Sequence, residues 1–78
     1  MKNFINDIKA VYRTRRIEAV NKATEAHEII RIDGLNSYTT SFDTRYEAKH
    51  FAKSLRRYIT MNDYNVVVSG KIVRVRRK

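Results

Sequence analysis

The chain contains no cysteine, no proline and no tryptophan, and only two glycines. Without cysteine there is neither a disulfide framework nor a thiolate metal site, so a reducing cytoplasm is the expected home. With Gly34 and Gly70 standing alone, no glycine-rich phosphate loop can form. Long apolar runs are missing as well. Runs such as Val66-Val67-Val68 and Ile29-Ile30 reach at most three residues, far short of the roughly 20 residues that span a bilayer. The first seven residues have one positive charge and no apolar stretch, which is not the pattern of a secretory signal. No membrane association is expected.

Acidic residues are also scarce. Eight Asp and Glu face 17 Lys and Arg among 78 residues, for a formal charge of +9 and a pI near 10.3. A chain of this length makes a single small basic domain, residues 1–78. Its expected stability is about a few kcal/mol on size alone, and self-repulsion lowers it further. A polyanionic partner or a second copy would relieve part of that cost, which leaves a homodimer open. Disorder is not expected, because apolar residues recur at regular spacing and five Tyr and three Phe are present.

The spacing of Phe4, Ile5, Ile8, Val11 and Tyr12 predicts a helix, with Asn3 or Asn6 at its cap. Arg13, Arg15 and Arg16 interrupt that stripe. Beyond them Ala19, Ala23 and Ala26 return at helical spacing. Either one continuous or kinked helix runs to about residue 27, the favoured form, or a helix ends near Arg16 and a second element follows. Residues 28–32 are short and β-branched, Asp33-Gly34 is a turn signal, and residues 38–42 alternate, which together predict a hairpin. Thr44-Arg45-Tyr46-Glu47 has capping-box spacing and opens a second helix. Its stripe is Ala48, Phe51, Ala52, Leu55, Tyr58 and Ile59, and it should stop near residues 61–63. Residues 64–68 and 72–76 flank a Gly70 turn as a second hairpin, with Val66, Val68, Val73 and Val75 on one face in either turn register. The expected fold is therefore α+β and two-layered: helix, hairpin, helix, hairpin, with a mostly antiparallel four-stranded sheet. Its expected core is Ile8, Val11, Ile30, Ile32, Phe42, Phe51, Leu55, Ile59, Val66, Val68, Val73 and Val75.

The positive charge falls in three clusters. The first is Arg13, Arg15 and Arg16. The second is the outer side of the second helix: Arg45, Lys49, Lys53, Arg56 and Arg57. The third is the tail, Lys71, Arg74, Arg76, Arg77 and Lys78, with no acid after Asp63. A charged stripe opposite an apolar one is common to amphipathic helices, and Lys or Arg on an edge strand can serve only to block aggregation. The tail says more: alternation with Val73 and Val75 forces Arg74 and Arg76 to one side of a sheet. Arginine's planar fork suits phosphate or carboxylate. The tyrosines Tyr12, Tyr38, Tyr46, Tyr58 and Tyr64 lie among the basic residues, where they could stack on bases or simply pack at the rim.

Catalytic chemistry is thin. His27 and His50 are the only histidines and lack metal-ligand spacing. His27 beside Glu28, on a predicted strand, would point to the opposite face. The carboxylates are scattered and suit caps, turns and local ion pairs rather than a cation cage. The chain is therefore not expected to be an enzyme or to hold a cofactor or metal.

Residues 38–75, running strand, helix, strand, strand, loosely resemble half of a peptidoglycan-binding SPOR repeat. The first half is missing and the shared residues are generic, so no family is assigned. Double-stranded-RNA-binding and KH domains differ in element order, and no GxxG loop exists here. In composition the chain is similar to early proteins of large tailed phages. The leading expectation is a non-enzymatic module whose Arg/Lys surface docks on nucleic acid, RNA slightly ahead of DNA, through phosphate contacts. The alternative is a small phage-type inhibitor or antitoxin-like protein. Its basic surface would block a host nucleic-acid enzyme or defence factor, such as an acidic or RNA-binding nuclease.

Overall fold

The computed structural model describes the backbone of residues 2–78 and the side chains of residues 13–78. Helix α1 spans Lys2–Asp33, strand β1 Ser37–Ser41 and helix α2 Arg45–Arg56. A short 3-10 turn, Ile59–Asp63, then leads into β2, Tyr64–Ser69, and β3, Ile72–Arg77. The three strands form one antiparallel sheet in the order β1-β3-β2. The fold is α+β, with helices on one face of the sheet.

The expected four-stranded sheet is corrected to three. Residues 28–32 are not a strand but the last turns of α1. Ile30 continues the stripe of Ala19, Ala23 and Ala26, and all four are 0–1% exposed. Burial on that stripe outweighs the β-branched preference of Ile29, Ile30 and Ile32. Asp33-Gly34 is accordingly a helix stop rather than a hairpin turn. Gly34 takes φ +62, and the Leu35 N–H donates to the Ile30 carbonyl at 3.2 Å. This is the closing bond of a Schellman motif. Arg13 to Arg16 do not break the helix, which runs in one piece from Lys2, so Asn3 and Asn6 lie within it and do not cap it. At about 1.5 Å per residue, its 32 residues account for the 49 Å long dimension of the molecule.

Helix α2 begins as expected. The Thr44 hydroxyl accepts from the Glu47 N–H at 3.3 Å. The reciprocal half of the capping box differs: the Glu47 carboxylate accepts from the Thr44 hydroxyl at 3.0 Å and from Arg15 at 2.6 Å. The helix ends earlier than its stripe suggested. Arg57 and Tyr58 donate backbone bonds to Ser54 and Leu55, three residues back, which tightens the last turn. Tyr58 is held across the helix pair, its ring 3.9 Å from that of His27 and nearly parallel to it. Its hydroxyl donates to the Thr24 hydroxyl at 3.1 Å. Ile59 consequently leaves the core and is 85% exposed, while Met61 is buried in the following turn.

The core is Ala19, Ala23, Ala26 and Ile30 of α1, Ala48, Phe51, Ala52 and Leu55 of α2, Met61, Tyr64, Val73 and Val75. Small residues on both helices allow their axes a close approach. Of the expected core, Ile30, Phe51, Leu55, Val73 and Val75 are buried, and Phe42, Val66 and Val68 pack against them partly buried. Ile32 is corrected to the surface at 70% exposure, as is Ile59. The side chains of Ile8 and Val11 lie outside the described residues.

The second hairpin folds as expected. Val66 pairs with Val75 and Val68 with Val73. Its turn residues are Gly70 and Lys71, and Gly70 takes φ +61. Glycine with positive φ at the first of two turn positions suits the type II′ turn, which follows the twist of the strands.

Candidate nucleic-acid interface

Side chains alternate across a sheet, so the strands that bury Val73 and Val75 must present their other residues away from the helices. Strand β3 is central. Arg76 lies opposite Ser37 on β1 and Asn65 on β2, Arg74 opposite Thr39 and Val67, and Ile72 opposite Ser41 and Ser69. All nine of these residues are exposed. Nothing in the described fold covers this face. No Asp or Glu is among the nine. Arg74 and Arg76 therefore stand on one side of the middle strand, their Cα atoms about 6.8 Å apart along it, flanked by neutral hydroxyls and an amide.

The basic residues singled out from the sequence separate into several environments. Arg74 and Arg76 stand on the open face, and Lys71 lies in the turn at its end. Around that turn, Arg45 and Lys49 of α2 line a groove of about 530 Å³ together with Tyr46, Val68 and Gly70. The hairpin end thus joins the tail cluster to the first half of α2. Arg16, Lys49 and Lys53 bear on His50, whose pKa is lowered from 6.5 first by burial and then by those three cations. The His50 ring also meets Tyr46 edge-on at 4.4 Å.

Others have structural work. Arg15 is paired with Glu47, and that hydrogen bond raises its pKa. Arg56 donates to the Val66 carbonyl at 2.7 Å, on the free edge of β2. Arg77 donates to the Tyr64 hydroxyl at 3.0 Å and lies over that ring. Arg57 lines a second groove with Val20, Thr24, Ser54 and Tyr58, between the two helices. Arg13 and Lys53 are exposed on their helices.

Among the described residues, the tyrosines do not form a stacking platform on the open face. Tyr64 is buried and donates its hydroxyl to the Leu35 carbonyl at 3.0 Å. Tyr58 is stacked on His27. Tyr38 is half-buried and opposite Val75, on the helix side. The side chain of Tyr12 lies outside the described residues. His27 and Glu28 are on a helix rather than a strand. His27 is 7% exposed with Nε2 unpartnered, and Glu28 binds Arg31 at 2.8 Å.

Sequence reasoning missed Ser37, Thr39, Ser41, Asn65 and Ser69 as neighbours of the arginines. The alternation of residues 37–42 held the signal for the first three. It could not be used while β1 was expected to pair with residues 28–32 instead of β3.

Among the described residues, no helix is long and apolar enough to cross a membrane. Compared with protein-family models, curated proteins and solved structures, the chain matches none at a significant level.

Proposed function

We propose that this chain is a non-enzymatic nucleic-acid-binding module that docks through the open sheet face and the basic end of the β2–β3 hairpin. The observation that carries this reading is the pair Arg74 and Arg76 on the central strand of an uncovered, acid-free face. Arginine forks bind phosphate oxygens bidentately. The surrounding Ser and Thr hydroxyls both donate and accept, so they serve phosphate oxygens and ribose 2′-hydroxyls alike. That second capacity puts RNA ahead of DNA. A flat face suits an extended strand, and without aromatic side chains among its nine residues the contacts fall on the backbone and leave little base preference.

The test is binding of single-stranded RNA and DNA oligonucleotides across a salt series. Affinity should fall linearly on logarithmic axes, and Arg74→Ala with Arg76→Ala should reduce the slope by about 1–2 without changing the melting temperature. A flat salt dependence, or normal binding by the double variant, would overturn the reading. A protein partner that survives nuclease treatment and depends on the same two arginines would put an acidic protein on this face instead.

A further inference from the structure

Three of the five residues of strand β1 direct their backbone groups away from β3. The bonds from Phe42 N–H to the Lys71 carbonyl, 2.9 Å, and from Arg77 N–H to the Asn36 carbonyl, 2.8 Å, continue the β1–β3 register. They set its parity: Tyr38 and Thr40 direct their backbone groups at β3, while Ser37, Thr39 and Ser41 direct theirs outward from the sheet. The two edges of the sheet are treated differently. On β2, Arg56 occupies the Val66 carbonyl. On β1 there is no charged residue, no proline and no break in register, which are the usual devices against edge pairing.

We infer that a second copy of this chain adds to the β1 edge, antiparallel, about a two-fold axis at Thr39. Thr39 then faces its own counterpart, and Ser37 faces Ser41 in both directions. All three outward residues fall in hydrogen-bonded positions, each facing pair exchanging two N–H···O bonds. Threonine opposite threonine is a favourable cross-strand pair.

Charge permits this partner despite +9 on each copy. The edge itself is neutral, and the arginines of one β3 stand three strand spacings from those of the other. That is about 14 Å, beyond the screening length of about 8 Å in physiological salt.

Such an axis runs perpendicular to the sheet, so both open faces lie on one side of a six-stranded sheet. The Arg74 and Arg76 pairs of the two copies then form one surface. That consequence rests on the nucleic-acid reading, whereas the pairing of copies does not. A five-residue pairing alone buries less than the roughly 1,000 Å² of a stable interface. The dimer is therefore weak by itself, and a strand long enough to touch both faces reinforces it.

Sedimentation of the full chain without nucleic acid, in a concentration series reaching about 1 mM, should show the mass doubling. Thr39→Pro removes an outward N–H and leaves the β3 ladder intact. Thr39→Lys keeps the backbone and opposes like charges at the axis. Both should stay monomeric with the wild-type circular dichroism spectrum. Because the chain has no cysteine, a short bis-maleimide should join Thr39→Cys chains and leave Val67→Cys chains single. A wild type that stays monomeric throughout, or one whose dimer persists in Thr39→Lys, overturns the inference, as does equal cross-linking at Val67→Cys. Loss of nucleic-acid binding would leave each of these readouts unchanged, so the two ideas fail separately.

Discussion

Strand β3 lies between two environments that differ residue by residue. Val73 and Val75 are 0% and 1% exposed beneath the helices, where each contributes about 1.5–3 kcal/mol of hydrophobic burial. Arg74 and Arg76, their neighbours along the chain, are exposed on the opposite side with no described element above them. One face of the strand holds the domain together and the other carries charge with no acidic partner among the described residues. Packing and exposed charge are therefore kept apart within a single strand, because the pleat keeps the two sets of side chains from sharing neighbours.

The sharpest break of that comparison is Leu55→Asp on the covered side. Leu55 is 0% exposed, and a carboxylate there, without a partner, costs several kcal/mol. The variant should lose its cooperative thermal transition in circular dichroism. A wild-type melt would mean the covered side is not the source of stability. Next in size is the open side. Arg74→Ala with Arg76→Ala should weaken oligonucleotide binding about tenfold or more at low salt while thermal melting stays put. A fall in melting temperature matching that of a core variant would join what the comparison separates.

A smaller effect is expected at the start of α2. Thr44→Ala removes the acceptor for the Glu47 N–H and should cost about 1 kcal/mol in chemical denaturation, with binding unchanged. The smallest concerns His50. Burial, followed by Arg16, Lys53 and Lys49, lowers its pKa from 6.5 in the folded chain. A folded state that binds this proton less readily than the unfolded state is favoured at high pH. The contribution of neutral His50 is therefore complete above its ordinary pKa and declines as pH falls below it. Melting temperatures followed downward from about pH 7 should show a shallow decline that His50→Gln flattens. An identical decline in the variant would assign the pH dependence to other groups.

Where local chemistry had only one outcome, the residues announced it. Thr44 with Glu47 marked the start of α2, and the apolar stripe named Phe51 and Leu55 as core. Gly70 between two alternating segments marked the β2–β3 hairpin and its valine face. Where two outcomes shared the same local chemistry, the local pattern pointed to the wrong one. Ile29-Ile30-Arg31-Ile32 followed by Asp33-Gly34 suits a strand and turn, and it equally suits a helix end with its glycine stop. The candidate site was legible to the same degree. Arg74 and Arg76 were placed on one face by alternation alone, but their hydroxyl neighbours depended on which strand lies beside β3. The roles of Arg15, Arg56 and Arg77 depended on contacts with residues 10 to 32 positions away.

The sequence by itself determined the charge, the alternation of β3, the cap and stripe of α2 and the turn at Gly70, since each follows from residues within a few positions of one another. Only the tertiary structure decided that residues 28–32 remain helical, that β1 lies against β3, and that the cations divide between an open sheet face and a helix-side groove. The physical reason is that burial against distant partners selects between local states of nearly equal energy. Ile30 gains more on the alanine stripe against α2 than it would gain as part of a short strand.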